Sequence, residues 1–317
     1  SNTITNNDWY GIFIAGSDHV ISDNIVNNNG VASSKPNPSG GIIIIGGSNF
    51  TVTGNTAIGD SSLAANTTGD DNTAVGFSTL NANTTGTDNT ALGDSALLVN
   101  TTSSNNTAVG SQALVAQTTG GGYNVAIGLS TLGANTTGSW NIAVGRYALK
   151  QNTTGVNNVA IGYYTMRNNT IGLENAAIGY RTMQTNTTGT NNSALGTYAL
   201  QSNTTGNYNV AVGNLALTTN TVGQQNTDVG NEALQASTTG SYNTAVGHNA
   251  LTVNTTAANN TALGYNSLTA NTTGASNVAV GFQALSANTT GENNTAVGFD
   301  ALKTNITTSA NTAFGSE

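Results

Sequence analysis

The residues of this chain best suited to chemistry fall among its first few dozen positions. Asp8, Asp18 and Asp23 lie beside Trp9, Tyr10 and His19, and acids converging on one bond are what glycoside cleavage requires. Three acids set among Asn-rich turns read first as turn formers, because a short carboxylate bonds its own backbone. His19 and His248 are the only histidines and cysteine is absent, which excludes His- or thiolate-based metal clusters and disulfides. Asp70, Asp71 and Asp88 fall near corresponding corners of a repeat. The glycine-aspartate nonapeptide of calcium-binding rolls is missing, so they read as solvated corner acids with no metal expected. No Gly-rich phrase is followed by Gly-Lys-Ser/Thr, so no phosphate loop and no cofactor is expected. The chain is expected to be non-enzymatic.

What would position any functional side chain is a repeat. A phrase of the form Asn-Thr-Ala-Val-Gly occurs sixteen times, from Asn55 to Asn311, and every step but one is 17 residues. The exception is an extra residue at Gly120–Gly122, which moves the next copy to Asn124. A fixed short period means one small unit stacked on copies of itself, since a single unit cannot bury its own apolar face. The expected fold is all-β, a β-solenoid (parallel β-helix or β-roll) of stacked 17-residue repeats over 55–317. At about 4.8 Å per turn, the stack would form a rod of roughly 75 Å.

Within each unit the fourth place is aliphatic (Val75, Val109, Val144) and the ninth is Leu or Met (Leu80, Leu97, Leu114, Leu149, Leu200, Leu217). These two columns are the expected core ladder. The adjacent Ala and aliphatic residues point to opposite strand faces, so one apolar column can lie outside the coil, where a second chain or sheet would cover it. Gly at the fifth place, from Gly59 to Gly315, and a second Gly closing Asn-Thr-Thr-Gly, as at Gly69, Gly86 and Gly138, are both read as corners of positive φ. Asn66, Asn83, Asn100, Asn135 and Asn152 at the twelfth place form an expected ladder of side-chain amides along the axis. They also match the Asn-x-Ser/Thr acceptor pattern, although a repeated structural Asn explains the match more economically. The stretch between Gly and Asn reads as a short strand, with a single capped helical turn as the other reading.

Residues 1–54 keep a different rhythm, with phrases such as Gly11-Ile-Phe-Ile, His19-Val-Ile-Ser-Asp-Asn-Ile-Val and Gly41-Ile-Ile-Ile-Ile, and a loop at 31–40 that holds Pro36 and Pro38. This segment resembles the right-handed parallel β-helix of NosD-like and pectate-lyase-like repeats. That resemblance implies coils of longer period, and keeps a polysaccharide-binding or polysaccharide-degrading role among the alternatives. Asn72-Thr-Ala-Val-Gly-Phe-Ser-Thr-Leu-Asn-Ala-Asn-Thr-Thr-Gly resembles the tandem repeats of bacterial and phage surface-fibre proteins. It is similar to the head repeats of trimeric autotransporter adhesins, although its unit is longer. The resemblance implies β-rolls, commonly three chains side by side.

Only 6% of residues are charged, 39 are Gly, and the net charge is −8 with six basic residues. Disorder would be suspected in such a chain, but regular aliphatic columns offset the ordering of the backbone. Nucleic acid is not an expected partner of so few cations. Four of them, Arg146, Lys150, Arg167 and Arg181, share one stretch; it reads as solvated side chains, with contact to an acidic surface as the alternative. The run Ile42 to Ile45 is too short to span a bilayer, so no membrane insertion is expected. The start at Ser1 without a leader reads as a mature form or a piece of something longer, and the mid-unit stop at Ala313-Phe-Gly as continuation into another subunit or domain.

Tyr123, Trp140, Tyr208 and Tyr242 each precede a repeat-opening Asn, while Phe77, Tyr147, Tyr163, Tyr164 and Phe282 follow the first Gly. They are expected surface contacts for glycans, a host surface or a partner fibre. The expected function is a non-enzymatic structural fibre or adhesin segment, extracellular, on a cell surface or on a virion. Its expected partner is itself, as homotrimer or end-to-end filament. Ice binding through the Thr67, Thr84, Thr101 and Thr118 column is the other alternative.

Overall fold

A computed structural model describes residues 25–26 and 54–316. The acids Asp8, Asp18 and Asp23, their aromatic neighbours and the loop at 31–40 lie outside the described residues, as does most of the longer-period segment. The chain divides into two compact units, residues 1–156 and 157–317. Over the described residues from 54 onward both are all-β, built from parallel three-residue strands one repeat apart, and each forms a β-solenoid.

In the first unit the strands Thr56–Ile58, Thr73–Val75, Thr90–Leu92, Thr107–Val109, Val125–Ile127 and Ile142–Val144 pair in sequence order. Like residues stand opposite each other, Thr73 on Thr90 and Ala74 on Ala91. The two-residue strand Ile25–Val26 pairs in parallel with Thr56 and Ala57. The extra residue is absorbed at Gly120 and Gly121, which have φ of 72° and 70°, so Thr107 still faces Val125. The second unit repeats the arrangement from Val159–Ile161 to Thr312–Phe314.

Each strand follows the buried Asn and stops before the fifth-place Gly, whose φ runs from 125° at Gly145 to 146° at Gly230. Only Gly adopts that backbone without strain. The closing Gly of Asn-Thr-Thr-Gly differs from the sequence reading, since Gly69, Gly86 and Gly138 do not have positive φ. They are Gly for lack of room: a Cβ on Gly86 would collide with the Ser103 carbonyl and the Asn83 side chain.

Between Gly and the twelfth-place Asn the chain is neither strand nor helix but a pair of tight turns. The core Leu itself lies in the left-handed region, φ 47° at Leu80 and 50° at Leu97. Such a backbone costs a branched residue about 1–2 kcal/mol. It is held by bonds to neighbouring turns, since Ser78 N–H donates to Asp60 O (2.9 Å) and Leu80 N–H to Ala96 O (3.0 Å).

The core is thin. Leu80, Leu97, Leu114, Leu149, Leu200 and Leu217 are fully buried, and the residues packed inward from the strand are the third-place alanines, Ala57 through Ala296. Val75, Val109 and Val144, expected in the core ladder, are not core residues but lie half-exposed on the outer strand face. The buried Asn72 and Ala74 are two residues apart and share the inner face, which sends Thr73 and Val75 outward.

Candidate interaction surfaces

Two polar ladders flank the thin core. In the expected one, the amide of Asn83 donates to Asn66 Oδ1 (2.9 Å), that of Asn100 to Asn83 (2.9 Å), and that of Asn152 to Asn135 (2.8 Å). The second ladder, which sequence reasoning missed, is the repeat-opening Asn. Asn89 donates through both its backbone N–H (3.1 Å) and its amide (3.0 Å) to Asn72 Oδ1. The ladders meet at one carbonyl, because Gly86 O accepts from Asn72 (2.9 Å) and from Asn83 (3.0 Å). Buried amides so engaged have no free nitrogen to offer a glycosylating enzyme.

The Thr column considered for ice is bound along the axis through its hydroxyls, each to a carbonyl of the next turn. Thr67 Oγ1 donates to Thr84 O (2.9 Å), Thr84 to Thr101 O (3.0 Å), Thr101 to Thr118 O (3.3 Å), and Thr118 to Thr136 O (3.5 Å). The following threonines, Thr68, Thr85 and Thr102, are exposed, as is Thr67.

The outer strand face carries two columns, at the second and fourth places of each unit. Ile58, Leu92 and Ile127 in the first unit, and Ile161, Ile178, Leu195 and Leu263 in the second, are all exposed. Neither column holds a charged residue between Thr56 and Phe314.

Aromatic side chains occupy two corners. At the last place of the unit, Tyr123, Trp140, Tyr208 and Tyr242 are 56–57% exposed, each with a left-handed backbone, φ 54–62°. Tyr123 and Trp140 stack with centroids 6.1 Å apart. Gln225 intervenes between Tyr208 and Tyr242. After the first Gly, His248, Tyr265, Phe282 and Phe299 form a continuous stack at 5.4, 5.3 and 5.1 Å. Rings stacked along the axis present edges to solvent, not the open faces on which a sugar lies.

Earlier in the second unit this corner turns basic: Arg167 lies over Tyr164 (5.0 Å) and Arg181 over Tyr180 (5.2 Å). In the first unit Arg146 and Lys150 both approach the Tyr147 ring, at 4.8 and 4.7 Å.

One departure lies in the core. Asp228 replaces Ala in the third-place column, paired in register with Ala211 and Ala245. It is fully buried, neither carboxylate oxygen has a hydrogen-bond partner, and burial pushes its carboxyl well above the ordinary value. Among the described residues no group of three His, Asp or Glu side chains comes together, and no helix is long and apolar enough to cross a membrane.

These surfaces belong to a β-solenoid protein of 17-residue turns with an Asn-laddered core. Comparison with known protein-family models, curated proteins and solved structures finds no match.

Proposed function

We propose that the chain is a non-enzymatic structural segment of a fibre or adhesin, extracellular, on a cell surface or on a virion, whose copies associate side by side. The observation that carries this reading is the outer strand face, where an uncharged, largely β-branched pair of columns is exposed turn after turn. Soluble monomers rarely leave a contiguous apolar patch of more than a few hundred Å² uncovered. Parallel sheets are normally covered on both faces, and this exposed face carries no charge in its two columns. A second copy supplies the same columns at the same spacing, so like strands can be covered turn by turn. A homotrimer is the expected assembly, with an end-to-end filament as the other form of self-association.

Light scattering on a size-exclusion column, followed by negative-stain imaging of the same peak, tests the proposal. A discrete trimer supports lateral association, and filaments support assembly through the ends. A monomer at every concentration overturns self-association; thermal hysteresis in that monomer would favour ice binding.

A further inference from the structure

The basic corner of the second unit goes beyond the fibre reading and does not depend on it. Arg167 and Arg181 stand on successive turns and share one ring, since the Arg181 guanidinium lies 5.8 Å and that of Arg167 5.0 Å from the Tyr164 centroid. Tyr163 stacks on Tyr180 at 5.7 Å and 5°, Tyr164 sits edge-on to Tyr163 at 4.1 Å, and Tyr198 edge-on to Tyr180 at 5.4 Å. The result is a pre-packed group of four tyrosines holding two cations.

Neither guanidinium is neutralised. The ion pair found among the described residues is Lys303 with Asp300, far along the chain, and no carboxylate bonds Arg167 or Arg181. Their Nε atoms are buried without a hydrogen-bond partner, while each arginine as a whole is only part-buried. Two like charges are thus held near one ring in a chain of net charge −8. Such an arrangement attracts a partner that brings more than one negative charge.

We infer that Arg167, Arg181 and the Tyr163, Tyr164, Tyr180 and Tyr198 cluster form a binding surface for an acidic polysaccharide. The planar guanidinium fork matches a carboxylate or sulfate in bidentate fashion. Each tyrosine adds a hydroxyl that can donate to and accept from the hydroxyls of a sugar. Arg167 and Arg181 occupy the tenth and seventh places of successive turns, so a flexible linear acidic glycan can bring one charge to each. Duplex nucleic acid fits less well: its affinity comes from neutralising many phosphates, and this surface holds two cations in an otherwise acidic chain. The site lies in the turn segment after the fifth-place Gly, outside the second- and fourth-place columns of the outer strand face.

The experiment is titration of the full chain with polygalacturonate and with dextran sulfate, beside neutral dextran and a duplex oligonucleotide. Binding to at least one acidic polysaccharide is expected, weakening as salt rises. Arg167→Gln with Arg181→Gln should reduce that affinity at least tenfold, the paired Lys variants should fall between, and Lys303→Gln should match the parent. Circular dichroism of each variant separates lost binding from lost fold. The inference is overturned by no binding to either acidic polymer, by equal binding to neutral dextran, by undiminished binding of the double Gln variant, or by tighter binding to the oligonucleotide.

Discussion

Asn220 and Ser237 occupy the same place in successive turns, yet no hydrogen bond joins them. In the intact rungs of that column the later amide donates to the earlier oxygen, Asn220 to Asn203 at 3.0 Å and Asn271 to Asn254 at 3.0 Å. The serine hydroxyl is too short to continue the ladder, so Asn220 Oδ1 and Ser237 Oγ are both buried without partners.

Ser237→Asn should therefore repair the ladder. One regained buried hydrogen bond, with an acceptor no longer orphaned, is expected to add about 1 kcal/mol. Asn83→Ala, which breaks an intact rung, should lower stability by a similar or larger amount. Urea midpoints of the two variants check this. A midpoint for Ser237→Asn at or below the parent's would mean that the amide ladder contributes nothing to stability.

Asp228 lies in the same turn as Ser237, flanked in register by the uncharged Ala211 and Ala245. Its folded carboxyl is raised by burial, above an unfolded value of about 3.9. A raised acid binds its proton more tightly when folded. Its contribution is therefore fully present below the unfolded value and is lost as pH climbs towards the folded one. Asp228→Ala, which restores the column, should stabilise the fold at neutral pH by about 3 kcal/mol, the scale of an unpaired buried charge. Melting temperatures of parent and variant should converge near pH 3. A difference independent of pH would show that packing, and not ionisation, separates them.

How much of this was legible beforehand differs by residue. The period and the buried Leu80 and Leu97 column follow from spacing alone. The outward turn of Val75 does not, because alternation says that Ala74 and Val75 face opposite ways without saying which is inside. The missing information was the second ladder: once Asn72 is known to be buried, Ala74 must be buried with it. The left-handed backbone of Leu80 has no sequence signal, since Leu is not a residue that favours positive φ. It arises from bonds between turns, which act only once the stack exists. Asp228 was readable as the one acid in an otherwise unbroken Ala column. The Arg167 and Arg181 cluster was visible as a basic stretch, but not as two cations sharing the Tyr164 ring.

Tyr208 is 57% exposed with φ of 57° and makes no ring contact among the described residues. At the same place in other turns stand Asn157, Asn191, Asn259 and Asn293, all with positive φ. Asn tolerates that region better than a bulky ring. Tyr208→Asn should therefore raise stability by about 0.5–1 kcal/mol, read as an upward shift in melting temperature. Strained residues with no structural return concentrate at functional positions, so the same variant should be assayed for surface binding. A destabilised variant would assign the ring to the fold instead.

Core and outer face should answer differently to charge. Leu200 and Leu217 are fully buried in neighbouring turns, and burying a leucine contributes about 1.5–3 kcal/mol before any cavity or unpaired charge is counted. Leu200→Asp with Leu217→Asp places two unpartnered carboxylates in a core one leucine deep, and the β-rich circular dichroism spectrum should collapse. An unaltered spectrum would remove the stacked-turn account of stability. Ile178 and Leu195 are 42% and 50% exposed on adjacent strands, where lysine reaches solvent without disturbing the inner face. Ile178→Lys with Leu195→Lys should keep the parent spectrum and melting temperature while shifting the light-scattering mass from oligomer to monomer. Because the strands are parallel and in register, the two lysines of one chain would face their equivalents in a neighbouring copy, and like charges there oppose association. An oligomer that survives this double substitution would move the contact to another face of the turn.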